Sequence, residues 1–127
     1  MQQKNLLCEK AVKSFLEDYN CAQSVLLTMF EYWNGENELI PKIATAFGGG
    51  IGRCGSVCGA LTGGVMALGI KYGTNEPSLE KHLEAYKKRK NFTNNSNGSM
   101  EASYAENSLD ITFQTLKSWM RLVKKGF

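Results

Sequence analysis

Ten of the chain's 13 glycines fall between Phe47 and Gly73, in the stretch FGGGIGRCGSVCGALTGGVMALGIKYG. No other feature restricts the fold as much. Within it Cys54, Cys58, Leu61, Val65 and Leu68 recur at three- and four-residue spacing, which predicts a helix from Cys54 to Tyr72 despite Gly55, Gly59, Gly63 and Gly64. Each interior glycine costs a helix up to about 1 kcal/mol relative to alanine, so four of them need compensation. Close approach of a second backbone supplies it, because only a residue without Cβ leaves room. Just upstream, Gly48, Gly49, Gly50 and Gly52 free the main chain to turn.

The rest of the chain reads as helices able to enclose this element. Leu7, Cys8, Ala11, Val12, Phe15 and Leu16 form the stripe of an amphipathic helix from about Lys4 to Glu17. After a break at Asp18, Tyr19 and Asn20, the face Ala22, Val25, Leu26, Met29, Phe30 and Trp33 predicts a second helix, capped by Asn20 and ended by Asn34 and Gly35. A short third helix is expected from Glu38 to Phe47 around Pro41, and another opens at Pro77 and Ser78 and runs to about Lys90. The expected fold is all-α: a compact bundle of about five helices with the glycine-rich helix at its centre. Residues 1–90 form the helical domain. Residues 91–127 form a divergent tail, with NFTNNSNGS as a polar linker and a weakly amphipathic helix from Leu109 to Phe127.

The chemistry lies with the four cysteines. Cys54 and Cys58, four apart on a helix, would share a face with Cβ atoms about 5–6 Å apart. A relaxed disulfide needs about 3.5–4.5 Å, so shared metal ligation, or a bond from either thiol to a third cysteine, fits better than an intrahelical bridge. Cys21 is that third partner, since it sits at the first turn of the second helix, where unsatisfied N–H groups favour thiolate. Cys54 gains the same advantage and has Arg53 beside it. Cys8, inside a leucine stripe, reads as a small core hydrophobe. Candidate catalytic or metal-ligating residues are therefore Cys21, Cys58 and Cys54, for thiol–disulfide exchange or for a soft-metal site such as zinc or an iron–sulfur cluster.

Several other functions are weighed and set aside. Gly50, Gly52 and Gly55 match G-x-G-x-x-G and are the candidate cofactor-binding residues, but a dinucleotide fingerprint requires a preceding strand in a βαβ unit, and the context is helical. The basic clusters Lys87, Lys88, Arg89, Lys90 and Arg121, Lys124, Lys125 lack aromatic interleaving, so no nucleic-acid partner is expected. His82 stands alone on a charged helix. The longest apolar stretch, Val57–Ile70, is about 14 residues where a membrane span needs about 20, so no membrane insertion is expected. The first residues lack the apolar core of a signal peptide, which predicts a cytoplasmic, reducing location. A noncatalytic alternative stays open: a partner-binding or oligomerisation module that docks a helix on Gly55, Gly59 and Gly63 and uses its cysteines as packing. The partners such a chain would take are a redox partner protein or a second copy of itself in a homodimer.

The segments YNCAQSVL and FGGGIGRCGSVCGALTGGVMALGIKYG resemble the C_GCAxxG_C_C family of redox-active proteins, over roughly residues 8–90. That resemblance implies a small helical bacterial protein with four characteristic cysteines, often encoded near transporter genes. Two of the four correspond to Cys21 and Cys58; Cys8 and Cys54 are not among them. The other two belong in a tail resembling GS, two residues, then CREL, which is absent here. The genetic code accounts for its absence. If Tyr104 to Ile111 are encoded TAT GCA GAG AAT TCT TTG GAT ATA, starting two nucleotides later reads CREFFGY. Residues from about Asn91 onward are thus expected to be an out-of-frame translation of an ordinary family tail. Sequencing the encoding DNA should show TGC AGA GAA in the shifted frame across Tyr104 to Asn107; incompatible codons there would exclude the shift.

Overall fold

The computed structural model describes the backbone of residues 2–94 and the side chains of residues 6–90. Its elements are α1 (Gln2–Leu16), α2 (Cys21–Tyr32), α3 (Leu39–Lys42), a 3₁₀ turn (Thr45–Phe47), the short α4 (Gly48–Ile51), α5 (Gly59–Tyr72) and α6 (Leu79–Asn94). Among the described residues there is no strand, so the all-α expectation holds. None of these helices is long and apolar enough to cross a membrane.

The apolar stripes explain the packing. Leu7 and Ala11 bury from α1, and Ala22, Val25, Leu26 and Met29 bury from α2. Leu16, although part of the α1 stripe, is 73% exposed at the helix end. Asp18 then adopts a left-handed φ of 72° and reverses the chain into α2. Lys10 on α1 and Glu31 on α2 pair across the hairpin at 2.8 Å. Ser24 and Thr28 are buried as well, so α2 is enclosed on nearly all sides, by α1, α3 and α5. Ser24 meets its hydrogen-bonding need internally, with Oγ donating to the Asn20 carbonyl at 2.8 Å. The centre of the fold is therefore the α2–α5 pair rather than the glycine-rich helix alone.

Two glycines of α5 make that pairing close. A Cβ on Gly63 would lie 2.5 Å from the Ala22 carbonyl oxygen, and one on Gly59 would collide with Cys21 Sγ and reach 3.0 Å from both the Ala22 nitrogen and the Phe47 oxygen. Backbone lies against backbone here. Gly55, placed by the sequence on the same face, has no neighbour within 4 Å of its would-be Cβ.

The structure corrects three boundaries. The helix expected from Cys54 starts at Gly59, because Gly52 to Gly55 fold as turns with left-handed φ at Gly52, Arg53 and Gly55. The third helix covers only Leu39–Lys42 before the chain tightens into the 3₁₀ turn. The last described helix runs to Asn94, four residues into the stretch expected to be a polar linker; helix ends are the least determined feature of a sequence pattern. The expected helix from Leu109 to Phe127 lies outside the described residues.

Substituting Gly63→Ala should destabilise the protein by about 1–3 kcal/mol, because the added methyl meets a main-chain carbonyl that cannot rotate away. Urea denaturation measures this. Gly69→Ala on the same helix, with nothing within 4 Å of its Cβ, is the control and should be neutral or stabilising.

Candidate functional site

The site begins at the N-terminus of α2. Asn20 caps it: its Oδ1 accepts from the Gln23 N–H at 2.9 Å, and Gln23 Oε1 accepts from the Asn20 N–H at 3.2 Å, a reciprocal capping box. Both side chains also reach forward. Asn20 Nδ2 donates to the Thr45 carbonyl at 2.8 Å, and Gln23 Nε2 donates to the Pro41 carbonyl at 3.1 Å and to Thr45 Oγ1 at 3.0 Å. These bonds fasten the segment that precedes the glycine run to the start of α2. Cys21 is thereby held at the first position of the helix, beside the run.

The glycine run turns the opposite way from an ordinary helix. Gly49, Gly50, Ile51, Gly52 and Arg53 have φ of 66°, 75°, 63°, 65° and 61°, one left-handed turn in which the Gly52 N–H bonds to the Gly48 carbonyl. For L-residues this costs roughly 1–2 kcal/mol each, and glycine escapes most of the cost. Ile51 and Arg53 do not escape it. The turn directs the Gly49 N–H at the Cys21 sulfur, where the N–H groups of Ala22 and Gly59 converge as well.

Cys58 precedes Gly59 at the N-terminus of α5, and its thiol is in hydrogen-bonding contact with Cys21. Cys21 is 3% exposed and Cys58 0%. The two sulfurs differ in character. The Cys58 hydrogen bond first, and the three backbone N–H groups with it, lower the Cys21 thiol to about 6 against the opposing effect of burial. Donation to that thiolate and burial hold Cys58 above its ordinary value, so it keeps its proton. The pair is therefore one thiolate and one thiol at neutral pH.

Cys21 also lines a surface cleft of about 530 Å³, together with Phe15, Asn20, Thr45, Gly48, Gly49, Gly52 and Arg53. Cys58 does not reach this cleft. Cys21 thus stands between the opening and Cys58, which is enclosed in the core.

The remaining candidates lie elsewhere. Cys54 is exposed, with Sγ 3.8 Å from the Gly52 carbonyl oxygen, and Cys8 is half-buried on α1 against the core. Among the described residues no group of three or more His, Cys, Asp or Glu side chains is placed to hold a metal. A zinc or cluster site uses about four donors, of which the described residues bring together the Cys21–Cys58 pair. Of the cofactor-binding candidates, Gly52 lines the cleft and Gly50 is buried, its carbonyl accepting from the Ser56 N–H at 3.0 Å, while Gly55 faces open space. The strand that a dinucleotide loop follows is missing among the described residues. Sequence reasoning overlooked Gly49 as a donor and Phe15 and Thr45 as cleft walls. Only a three-dimensional turn brings them beside Cys21.

No curated protein and no solved structure matches the chain. A family model does, over residues 19–112, a stretch that starts later than the resemblance in the sequence and runs further toward the C-terminus. That span includes Cys21, the left-handed turn and Cys58, and it covers more than half of the 127 residues. The chain belongs to the family described as "Putative redox-active protein (C_GCAxxG_C_C)".

Proposed function

We propose that the protein is a dithiol–disulfide redox protein in which Cys21 attacks and Cys58 resolves. The observation that carries this reading is the contact between two buried thiols of unequal acidity, of which the more acidic one alone borders a cleft. Thiolate is the nucleophile in disulfide exchange, and a thiol whose acidity lies near ambient pH attacks best. Cys21 meets that requirement.

The chemistry balances without a further reactant beyond an oxidised disulfide substrate. Cys21 thiolate attacks one substrate sulfur, the substrate S–S bond breaks, and a mixed disulfide forms as the first thiolate leaves. Cys58 then attacks Cys21 Sγ and expels the second substrate sulfur, which takes up the Cys58 proton. Two electrons pass from the dithiol to the substrate. Closing the disulfide brings the two neighbouring sulfurs to the bonded separation of about 2.05 Å.

The alternative of a noncatalytic docking module has less support, because Gly59 and Gly63, two of the three glycines assigned to receive a partner helix, are covered by α2 of the same chain.

Two predictions follow from the dyad. Oxidation of the reduced protein should remove two of its four titratable thiols, and peptide mapping should join Cys21 to Cys58. Cys21→Ser and Cys58→Ser should each abolish that crosslink. Loss of titratable thiols with any other pairing in the unsubstituted protein would refute the assignment.

The second concerns pH. Alkylation of Cys21 by iodoacetamide should rise with a midpoint of about 6, and Cys58→Ala should move it toward the ordinary thiol value of about 8.5. Stability should track the same ionisation. The folded value lies below the unfolded one, so this contribution is complete above about pH 8.5 and is lost as pH falls through about 6. Cys58 stays protonated in the folded state, so it opposes this slope only near the top of the window, where its unfolded thiol begins to ionise, and it does so in Cys21→Ala as well. Urea midpoints of the reduced protein should therefore fall from pH 8.5 to pH 6 more steeply than those of Cys21→Ala, and parallel slopes would contradict the assignment.

A further inference from the structure

From the cleft above Cys21 we infer that the oxidant is a small disulfide bearing a carboxylate, held by Arg53. This rests on the dithiol reading and adds the class of substrate to it.

The first support is the charge of the cleft. Its lining contains Arg53 and no acidic residue. The other polar groups of the wall are already engaged, Asn20 with Gln23 and Thr45, and Thr45 Oγ1 with Gln23 and the Lys42 carbonyl. Among the described residues no carboxylate pairs with Arg53. A guanidinium without a carboxylate partner among the described residues, in the wall of the cleft that Cys21 lines, is a ready partner for a planar anion, which it can bind through two parallel hydrogen bonds.

The second support is the backbone. Arg53 holds a left-handed φ of 61°, a conformation unfavourable for a non-glycine residue, and a glycine there would avoid most of that cost. Its side chain lies across Gly49, where an added Cβ would come within 2.8 Å of Arg53 Cγ. The strained turn therefore starts the Arg53 side chain against the same glycine whose N–H bonds Cys21. Strain of this kind points to a role in ligand positioning.

The third support is size. A cleft of about 530 Å³ lies within the range of small-ligand sites, roughly 300–1,000 Å³. With Cys21 only 3% exposed, the rigid surface of a folded protein would have difficulty delivering a disulfide to it. The walls from Phe15 to Gly52 leave an apolar and main-chain surface for the carbon chain between the substrate's sulfur and its carboxylate.

The test uses the full-length reduced protein and three disulfides of similar size: dithiodipropionate, which is anionic, bis(2-hydroxyethyl) disulfide, which is neutral, and cystamine, which is cationic. The rate of Cys21–Cys58 disulfide formation is measured with each, divided by the rate of the same probe with a free reference thiol. The expected order is anionic, neutral, cationic, with the anionic probe favoured about three- to tenfold over the neutral one at low salt and less at high salt. Arg53→Gln should remove the preference of the anionic over the neutral probe, and Arg53→Lys should restore part of it. If Arg53→Gln slows the anionic and neutral probes equally, Arg53 serves the fold and the inference fails. Equal normalised rates for all three probes in the unsubstituted protein would also overturn it. If even the neutral probe leaves Cys21 and Cys58 unlinked, the dithiol reading itself falls, and this inference with it.

Discussion

The contact on which the site depends is the one between the backbone of α5 and the backbone of α2. At Gly63 the two main chains approach so closely that a single methyl would lie 2.5 Å from a carbonyl oxygen. One turn earlier, Gly59 applies the same condition to Cys21 Sγ. The geometry fixes more than a helix crossing. Because Cys58 immediately precedes Gly59, drawing the start of α5 onto Ala22 carries the Cys58 thiol to Cys21. The favourable burial of Ala22, Ala60, Leu61, Ala67 and Leu68 thus offsets the helix-propensity cost of the glycines and sets the distance between two sulfurs.

A second constraint acts from the other side. The left-handed turn from Gly49 to Arg53 brings a backbone N–H to Cys21, and the cap formed by Asn20 and Gln23 ties the approach to that turn to the same helix end. Cys21 is therefore enclosed by α2's own first turn, by the start of α5 and by the glycine run. Three separate segments supply N–H groups to one sulfur. Each is weak on its own in water. With the Cys58 hydrogen bond, which is the largest contribution, they outweigh the burial that would otherwise keep the thiol protonated.

Much of this was legible in the sequence, and the limits have physical causes. The stripes of α1 and α2 were plain because amphipathic helices announce their buried face through spacing. Cys21 and Cys58 could be paired in advance, since one sits at a helix start and the other on an element whose missing side chains demand a close neighbour. The start of α5 was misplaced by five residues. Cys54 and Cys58 have helical spacing, but a left-handed φ at Arg53 and Gly55 breaks the helix between Gly52 and Gly59, and no periodicity registers the sign of φ. The sequence sets Arg53 as a charge beside Cys54, whereas in the fold it borders the cleft of Cys21, because the turn redirects it.

The difference between the two thiols follows from position along one line running from cleft to core. Cys21 has N–H groups from three segments and an opening toward solvent; Cys58 has Cys21 on one side, the hydrophobic cluster on the other, and N–H groups only from the first turn of α5. Negative charge placed on this pair therefore settles on Cys21, and the remaining proton stays on Cys58, where donation to Cys21 and burial outweigh the backbone N–H groups of Ala60 and Leu61. In the proposed reaction that partition sets the order of events. The outer sulfur meets the substrate as an anion, and the inner sulfur becomes nucleophilic only after its proton partner has been consumed in the mixed disulfide. A core-facing resolving thiol is also shielded from the substrate, so closure onto Cys21 competes with nothing else within its reach.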